Sequence, residues 1–298
     1  MKSPVLSILF LLISVTLLAV PNDFRFRHFS VEDGLSSNSV RAIMQDKYGF
    51  LWIGTEEGLN RYDGIMIKSY SICPQAAGKY ISSLYGTKKN IWIGTDEGIY
   101  IYAYATETFT YFDLTTPNNV RITSIVNHIL QDKDGNLWFS TNGQGLFRYN
   151  LSKNYLEQYE FTSAFGIVAS TMADSDNQIW ALTNQGESGV YKLNKAENKF
   201  EPFGLLYNAG NHHSQALAML EDSEQTLWLG TWECGLQKID KYTRQTTTYL
   251  HPTDGKGVTH IHSLMEYAPH QLLIGSDDGL LLFLSLIHIS EPTRLALI

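Results

Sequence analysis

The stretch LWIGTEEGLNRYD at residues 51–63 carries a five-letter opening that returns, altered but recognisable, five more times. It reads IWIGT at 91–95, LWFST at 137–141, IWALT at 179–183, LWLGT at 227–231 and LLIGS at 272–276. Successive copies begin 40, 46, 42, 48 and 45 residues apart. A period in the forties within β-rich sequence is the mark of a propeller, each repeat being one four-stranded blade.

The unit extends to both sides of the pentapeptide. Ahead of it run an apolar stretch and a turn, as in VRAIMQDKYGF (40–50) and VNHILQDKDGN (126–136). Behind it come polar residues, then Gly with an apolar residue, as in EEGLNRYD (56–63) and NGQGLFRY (142–149). An aromatic segment usually closes the unit: MIKSYSI (66–72), TFTYFDL (108–114), YLEQYEF (155–161) and TTTYL (246–250). The strand segments run five to seven residues, are rich in β-branched and aromatic residues, and are bounded by Gly, Asn or Asp, so they read as strands A to D, from the axis outward. Trp52, Trp92, Trp138, Trp180 and Trp228 are large enough to fill the wedge between blades, and Leu273 takes that place in the sixth copy. Two residues later Gly54, Gly94, Ser140, Gly230 and Gly275 admit close backbone approach. Gly58, Gly98, Gly145, Gly189, Gly235 and Gly279 recur after strand B as a second structural set.

Composition bounds the function. Apolar residues make up 44% of the chain, ample for a core, and the net charge of −8 leaves no basic stripe for nucleic acid. Cys73 and Cys234 fall in repeats one and five, which are not neighbours in a ring, and read as two isolated thiols. Residues 1–21 carry Lys2 and then an apolar run from Val5 to Val20, too short to span a bilayer and typical of an export signal, with cleavage expected near Ala19 or retention as an anchor. The propeller domain is assigned to 22–284. The last stretch, 285–298, breaks the pattern and reads as non-native read-through.

The expected fold is therefore an all-β propeller of four-stranded blades, six present and the sixth incomplete. FRFRHF (24–29) reads as a lone outer strand. A seven-bladed ring cut short in blade six explains it most simply, and a six-bladed ring completed by Phe24–Phe29 is the alternative.

The text from 24 to 64, with its D-G-L-S-x-N-x-V and L-W-I-G-T-x-x-G-L-N-R-Y runs, resembles the two-component regulator propeller repeats of hybrid two-component sensors. The resemblance covers roughly 24–284. It implies a periplasmic sensor region whose parent, anchored in the inner membrane, continues into a second propeller, a β-sandwich, a membrane helix and a histidine kinase. It implies oligosaccharide ligands released from complex glycans. This chain contains no kinase motif, so signalling is implied for the parent; the following sensor and kinase domains, and a second copy in a homodimer, are the implied protein partners.

In a propeller the D–A and B–C loops share one face around the channel, and ligands favour such mouths. Sugar binding needs a flat aromatic and planar amides or carboxylates. Trp232 is the one Trp outside strand B; beside it stand Glu233, Asn142, Gln144, Asn184, His212, His213, Glu56 and Asp96. Turn geometry alone accounts equally for Asn, Asp and Gly in these loops. The runs Asp132–Gly135 and Asp174–Asn177 lack the distal Glu of a calcium loop. Adjacent His212 and His213 would point apart on a strand, and His260 with His262 would share a face but find no third ligand. No metal or cofactor is expected, and no catalytic residues. The alternatives to a sensor are a secreted polysaccharide-acting enzyme using Glu56 and Asp96, and a scaffold for protein contact.

Overall fold

The computed structural model describes residues 26–72, 79–161, 166–183, 189–204, 215–250 and 258–285. Apart from one 3-10 turn at Val31–Asp33, the regular elements in them are strands. Blade one comprises β1 (Val40–Gln45), β2 (Leu51–Thr55), β3 (Gly58–Tyr62) and β4 (Ile67–Tyr70), and blade two β5 (Ile81–Gly86), β6 (Asn90–Thr95), β7 (Gly98–Ala103) and β8 (Thr108–Tyr111). Blade three follows with β9 (Val126–Gln131), β10 (Leu137–Thr141), β11 (Leu146–Asn150) and β12 (Tyr155–Tyr159). Blade four holds β13 (Val168–Ala173), β14 (Ile179–Thr183), β15 (Val190–Asn194) and β16 (Lys199–Pro202), and blade five β17 (Ala216–Glu221), β18 (Leu227–Thr231), β19 (Leu236–Ile239) and β20 (Thr246–Tyr249). Blade six has three described strands, β21 (Ile261–Ala268), β22 (Gln271–Ser276) and β23 (Gly279–Leu284). Every blade pairs antiparallel in chain order. The result is a six-bladed, all-β propeller.

The strand assignments hold, with one addition. The fourth strand of blade four lies at β16, where alternating charge and Pro202 hid it; both suit an outer edge that has no further ladder to feed.

Neighbouring blades are joined by the indoles. Trp52 packs against Ile81, Ile91 and Ile93 of the next blade, and Trp138 against Val168, Ile179 and Ala181. Trp92, Trp180 and Trp228 repeat the arrangement one blade on. The small residue two places later has its reason: a Cβ on Gly54 would stand 2.5 Å from Ile81 Cγ2, and one on Gly230 2.5 Å from Ile261 Cγ2. Cys234 is buried and forms no disulfide among the described residues, while Cys73 lies outside them.

Each indole N–H is buried, so it needs an acceptor. Trp52, Trp138, Trp180 and Trp228 donate to the carboxylates of Asp46, Asp132, Asp174 and Asp222 at 2.7–3.0 Å. The same aspartates accept backbone N–H groups of their own A–B turns. The D-x-D-G and D-S-D-N runs are thereby explained as indole anchors. Directly across the ladder from these four Trp stand Arg61, Arg148, Lys192 and Lys238, each with its cation 5.3–5.9 Å from the indole centroid. Blade two departs on both counts: Gly86 holds the acid's place, Ile101 the cation's, and Trp92 Nε1 is buried without a partner.

The innermost strands pack in sequence, β1 on β5, β5 on β9, and so on to β17 on β21. No comparable packing joins β21 to β1 among the described residues. On β1 Ile43 is accordingly 66% exposed, and on β21 Met265 is 54% exposed. Of the expected outer strand at Phe24–Phe29, residues 26–29 carry no strand assignment, and 24–25 lie outside the described residues. Arg27 instead hydrogen-bonds the Tyr62 hydroxyl, and Phe29 packs on the Tyr62 ring with centroids 4.8 Å apart. Residues 1–21, expected to be an export signal, and all but the first residue of the stretch 285–298 lie outside the described residues.

Candidate functional site

Antiparallel pairing in A-B-C-D order places all D–A and B–C loops on one face, and three recurring devices shape that mouth. The first is a lock on the B–C loop. The Thr that ends strand B donates to the carbonyl of the following Gly in Thr55–Gly58, Thr95–Gly98, Thr141–Gly145 and Thr231–Gly235, and Ser276–Gly279 copies it. These Gly residues, and Gly189, all have positive φ, from 64° to 146°, which is why the position is Gly in every copy.

The second device explains the motif text at 30–39. Ser30 and Asp33 cap the 3-10 turn reciprocally, and Gly34 leaves it at φ 106°. Leu35 is buried beneath. Asn60, fully buried, accepts from Ser36 N at 3.1 Å and Ser69 Oγ at 3.0 Å and donates to Ser36 Oγ at 2.8 Å. Asn38 Oδ1 accepts from Val31 N. The D-G-L-S-x-N run is thus a self-bonded loop pinned to strand C.

The third device is a β-bulge at the mouth end of strand A in all six blades. The residues skipped by the ladder are Arg41, Ser82, Asn127, Ala169, Leu217 and His262. A bulge re-aims a side chain. Ser82 Oγ and Asn127 Nδ2 donate to carbonyls of Val126 and Val168 on the next blade. Arg41 pairs with Glu56, and His262 with Asp277.

These contacts sort the expected ligand residues. Gln144 is committed to the fold: its Oε1 accepts from the N–H groups of Thr123 and Ser124, both at 2.9 Å, and its Nε2 donates to Arg121 O. Glu56 is held by Arg41, which keeps its carboxyl below the usual carboxylate range. Asp96 is exposed, 4.0 Å from Lys79, whose closer partner is Glu97. Asn142 and Glu233 are exposed on the mouth. Asn184, His212 and His213 lie outside the described residues.

Trp232 gathers a cluster. Its ring stands 3.9 Å from that of His260, centroid to centroid, and 39% of the residue is exposed. His260 Nδ1 meets one oxygen of Asp277 while His262 Nε2 meets the other at 2.7 Å. Both imidazoles hold the Asp277 carboxyl below its ordinary range. The backbone ties the group across two blades, with Trp232 N bonding Gln215 O and His260 N bonding Trp232 O. His260 adopts φ 48°, a conformation non-Gly residues seldom take. Sequence spacing paired the two histidines but missed Asp277, because the contact spans the B–C loop of the same blade. Among the described residues no group of three His, Cys, Asp or Glu converges to hold a metal ion. What this cluster offers is a part-exposed indole backed by an imidazole, with imidazole and carboxylate edges beside it.

Comparison with known proteins accords with this architecture. Residues 34–57 and 120–143 match the family model of the two component regulator propeller. Over 68 residues, 23% of this chain and 5% of the other, the sequence is 46% identical to histidine kinase P4 of Formosa agariphila. Among solved structures, the extracellular domains of two hybrid two component systems of B. thetaiotaomicron superpose with TM-scores of 0.70 and 0.71, each at 23% identity. They cover 86% and 91% of this chain but only 35% and 34% of those domains, so the chain spans about a third of their length. A catalytically inactive virginiamycin B lyase of Staphylococcus aureus, solved with quinupristin, has the same fold at TM-score 0.67 and 15% identity, covering 87% of this chain and 84% of the lyase. The same fold is therefore shared by a lyase and by extracellular domains of hybrid two component systems. No helix among the described residues is long and apolar enough to cross a membrane.

Proposed function

We propose that this propeller is part of the periplasmic sensor region of a hybrid two-component system, and that its mouth receives a glycan-derived oligosaccharide at Trp232. The observation that carries the reading is the Trp232–His260–Asp277–His262 cluster. It puts a flat, accessible aromatic beside fixed polar edges, whereas Gln144 and Glu56 are held by contacts within the fold. The two regulator-propeller matches and the sensor-domain fold support the signalling half. Ligand at the blade five–six seam would bias how these blades pack, and that difference would pass to following domains and onward to the kinase of the parent.

The enzymatic alternative is weaker, because Glu56 sits against Arg41 and a depressed carboxyl is a poor general acid. Isothermal titration of the chain with a panel of neutral oligosaccharides tests the reading. Trp232→Ala should abolish the heat of the binding sugar while leaving the melting temperature unchanged. Binding that survives this substitution places the ligand elsewhere.

A further inference from the structure

Repeats supply their own control: a residue common to the blades serves the fold, and one that a single blade carries at a shared position needs another reason. The hairpins joining strands C and D in blades two to five share one shape, with positive φ at Glu107 (53°), Asn154 (48°), Asn198 (51°) and Arg244 (63°). Two residues earlier, at the tip, stand Ala105, Ser152, Ala196 and Tyr242. Blade five alone places an arginine at the left-handed position, which Asn tolerates better, and an aromatic at the tip.

Tyr242 is 91% exposed, the most exposed large apolar side chain among the described residues. Its turn is nevertheless braced by hydrogen bonds. Asp240 Oδ1 accepts from Tyr242 N at 2.8 Å and Thr243 N at 2.9 Å, and Arg244 N donates to Asp240 O. A cavity of about 540 Å³ lies on each side of Tyr242. The one toward blade four is lined by Lys192, Lys195, Lys241 and Arg244 against a single acid, Glu201, in a chain of net charge −8. Lys241 is matched by Glu221 and Asp174. The other three cations have no carboxylate partner among the described residues; Lys192 lies over Trp180 and Arg244 over Phe203. Like charges gathered without counter-ions cost stability, and the cost is recovered when an anion arrives.

We propose that this cleft, on the face opposite the mouth, is a second site that binds an acidic oligosaccharide. Its carboxylate or sulfate meets Arg244 and Lys195, and a sugar ring stacks on Tyr242. Arg244 gives a planar fork matched to such anions. The exposed aromatic between two cavities gives a lone inorganic anion nothing it could use, and the overall negative charge opposes a nucleic acid.

The test is titration of the full chain with three probes at low and high salt: a galacturonate tetramer, a sulfated tetrasaccharide and a neutral galactose tetramer. Both acidic probes, or one of them, should bind about tenfold or more tighter than the neutral one and weaken as salt rises. Tyr242→Ala and Arg244→Asn restore residues blade four carries at these places, so both should fold with an unchanged melting temperature. Each should lower acidic-sugar affinity about tenfold. Trp232→Ala should leave that affinity intact. Equal affinity for acidic and neutral probes, an unaffected Arg244→Asn variant, or equally tight binding of inorganic sulfate or a single-stranded oligonucleotide would overturn the proposal. Acidic-sugar binding lost in Trp232→Ala but kept in Tyr242→Ala would overturn it too, and leave the mouth reading standing.

Discussion

Removing the Asp132 carboxylate tests the claim that aspartate anchors hold the blade wedges. Asp132 Oδ2 accepts from Trp138 Nε1 at 2.8 Å, and its Oδ1 accepts from Asn136 N at 2.8 Å, with Trp138 1% exposed. Asp132→Ala leaves a buried indole N–H with no acceptor and no route to water, a penalty of about 1–3 kcal/mol. Loss of the turn bond to Asn136 adds about 1 kcal/mol. The expected total of about 2–4 kcal/mol corresponds to a fall in melting temperature of roughly 4–16 °C for a domain of this size. Asp132→Asn retains one acceptor oxygen and should cost about half as much. The measurement is thermal and urea denaturation followed by Trp fluorescence. Blade two supplies the reciprocal experiment, because Trp92 Nε1 already lacks a partner and Gly86 occupies the anchor position. Gly86 has ordinary φ, and a Cβ there meets the flexible end of Met44, at 2.9 Å from Sδ, and stands 4.0 Å from the Tyr104 hydroxyl. Gly86→Asp should therefore stabilise by about 1 kcal/mol. An Asp132→Ala protein that melts with the wild type, or a Gly86→Asp protein that gains nothing, refutes the anchoring argument.

Three further outcomes follow from the same geometry. Burial pushes His128 on β9 down to about 4, so its stabilising neutrality is complete above its ordinary value of about 6.5 and is lost as pH falls from there toward 4. The loss should approach 3 kcal/mol at pH 4, and His128→Asn should flatten this part of the pH–stability curve. Gly230→Ala drives a methyl into Ile261 and should cost about 1–3 kcal/mol by urea denaturation; Gly135→Ala meets no atom within 4 Å but keeps a positive-φ strain, and should cost about 1 kcal/mol. Asn60→Leu should free the 30–39 loop, seen as faster proteolytic nicking there and a loss of about 2–4 kcal/mol.

Which features were legible before the fold was known follows from how local their causes are. The indole, the small residue two places on and the Gly after strand B act within one blade or on the next, so they repeat in the text, and each repetition corroborates the others. The roles of Arg61, Arg148, Lys192 and Lys238 were half visible: recurrence marked them as structural, but only the register sets each cation opposite an indole. Gln144 misled because an amide in a mouth loop looks the same whether it faces a ligand or, as here, three backbone groups of the preceding loop. Arg41 and His262 were invisible as mouth residues because a bulge, which alternation cannot encode, takes them out of the strand's two-residue rhythm.

That contrast suggests where specificity resides in such a repeat. The bulge position is built identically six times, yet its occupants, Arg41, Ser82, Asn127, Ala169, Leu217 and His262, share no chemistry. Two spend their polar atoms on the next blade's backbone and two pair with a B–C acid. The backbone therefore fixes where a side chain is offered, while its identity is released from the fold's demands. If mouth recognition depends on these offered positions, exchanging Leu217 for Asn should leave the melting temperature within about 1 kcal/mol equivalent of wild type yet change which oligosaccharide binds. An unchanged binding profile would assign recognition to the Trp232 cluster alone.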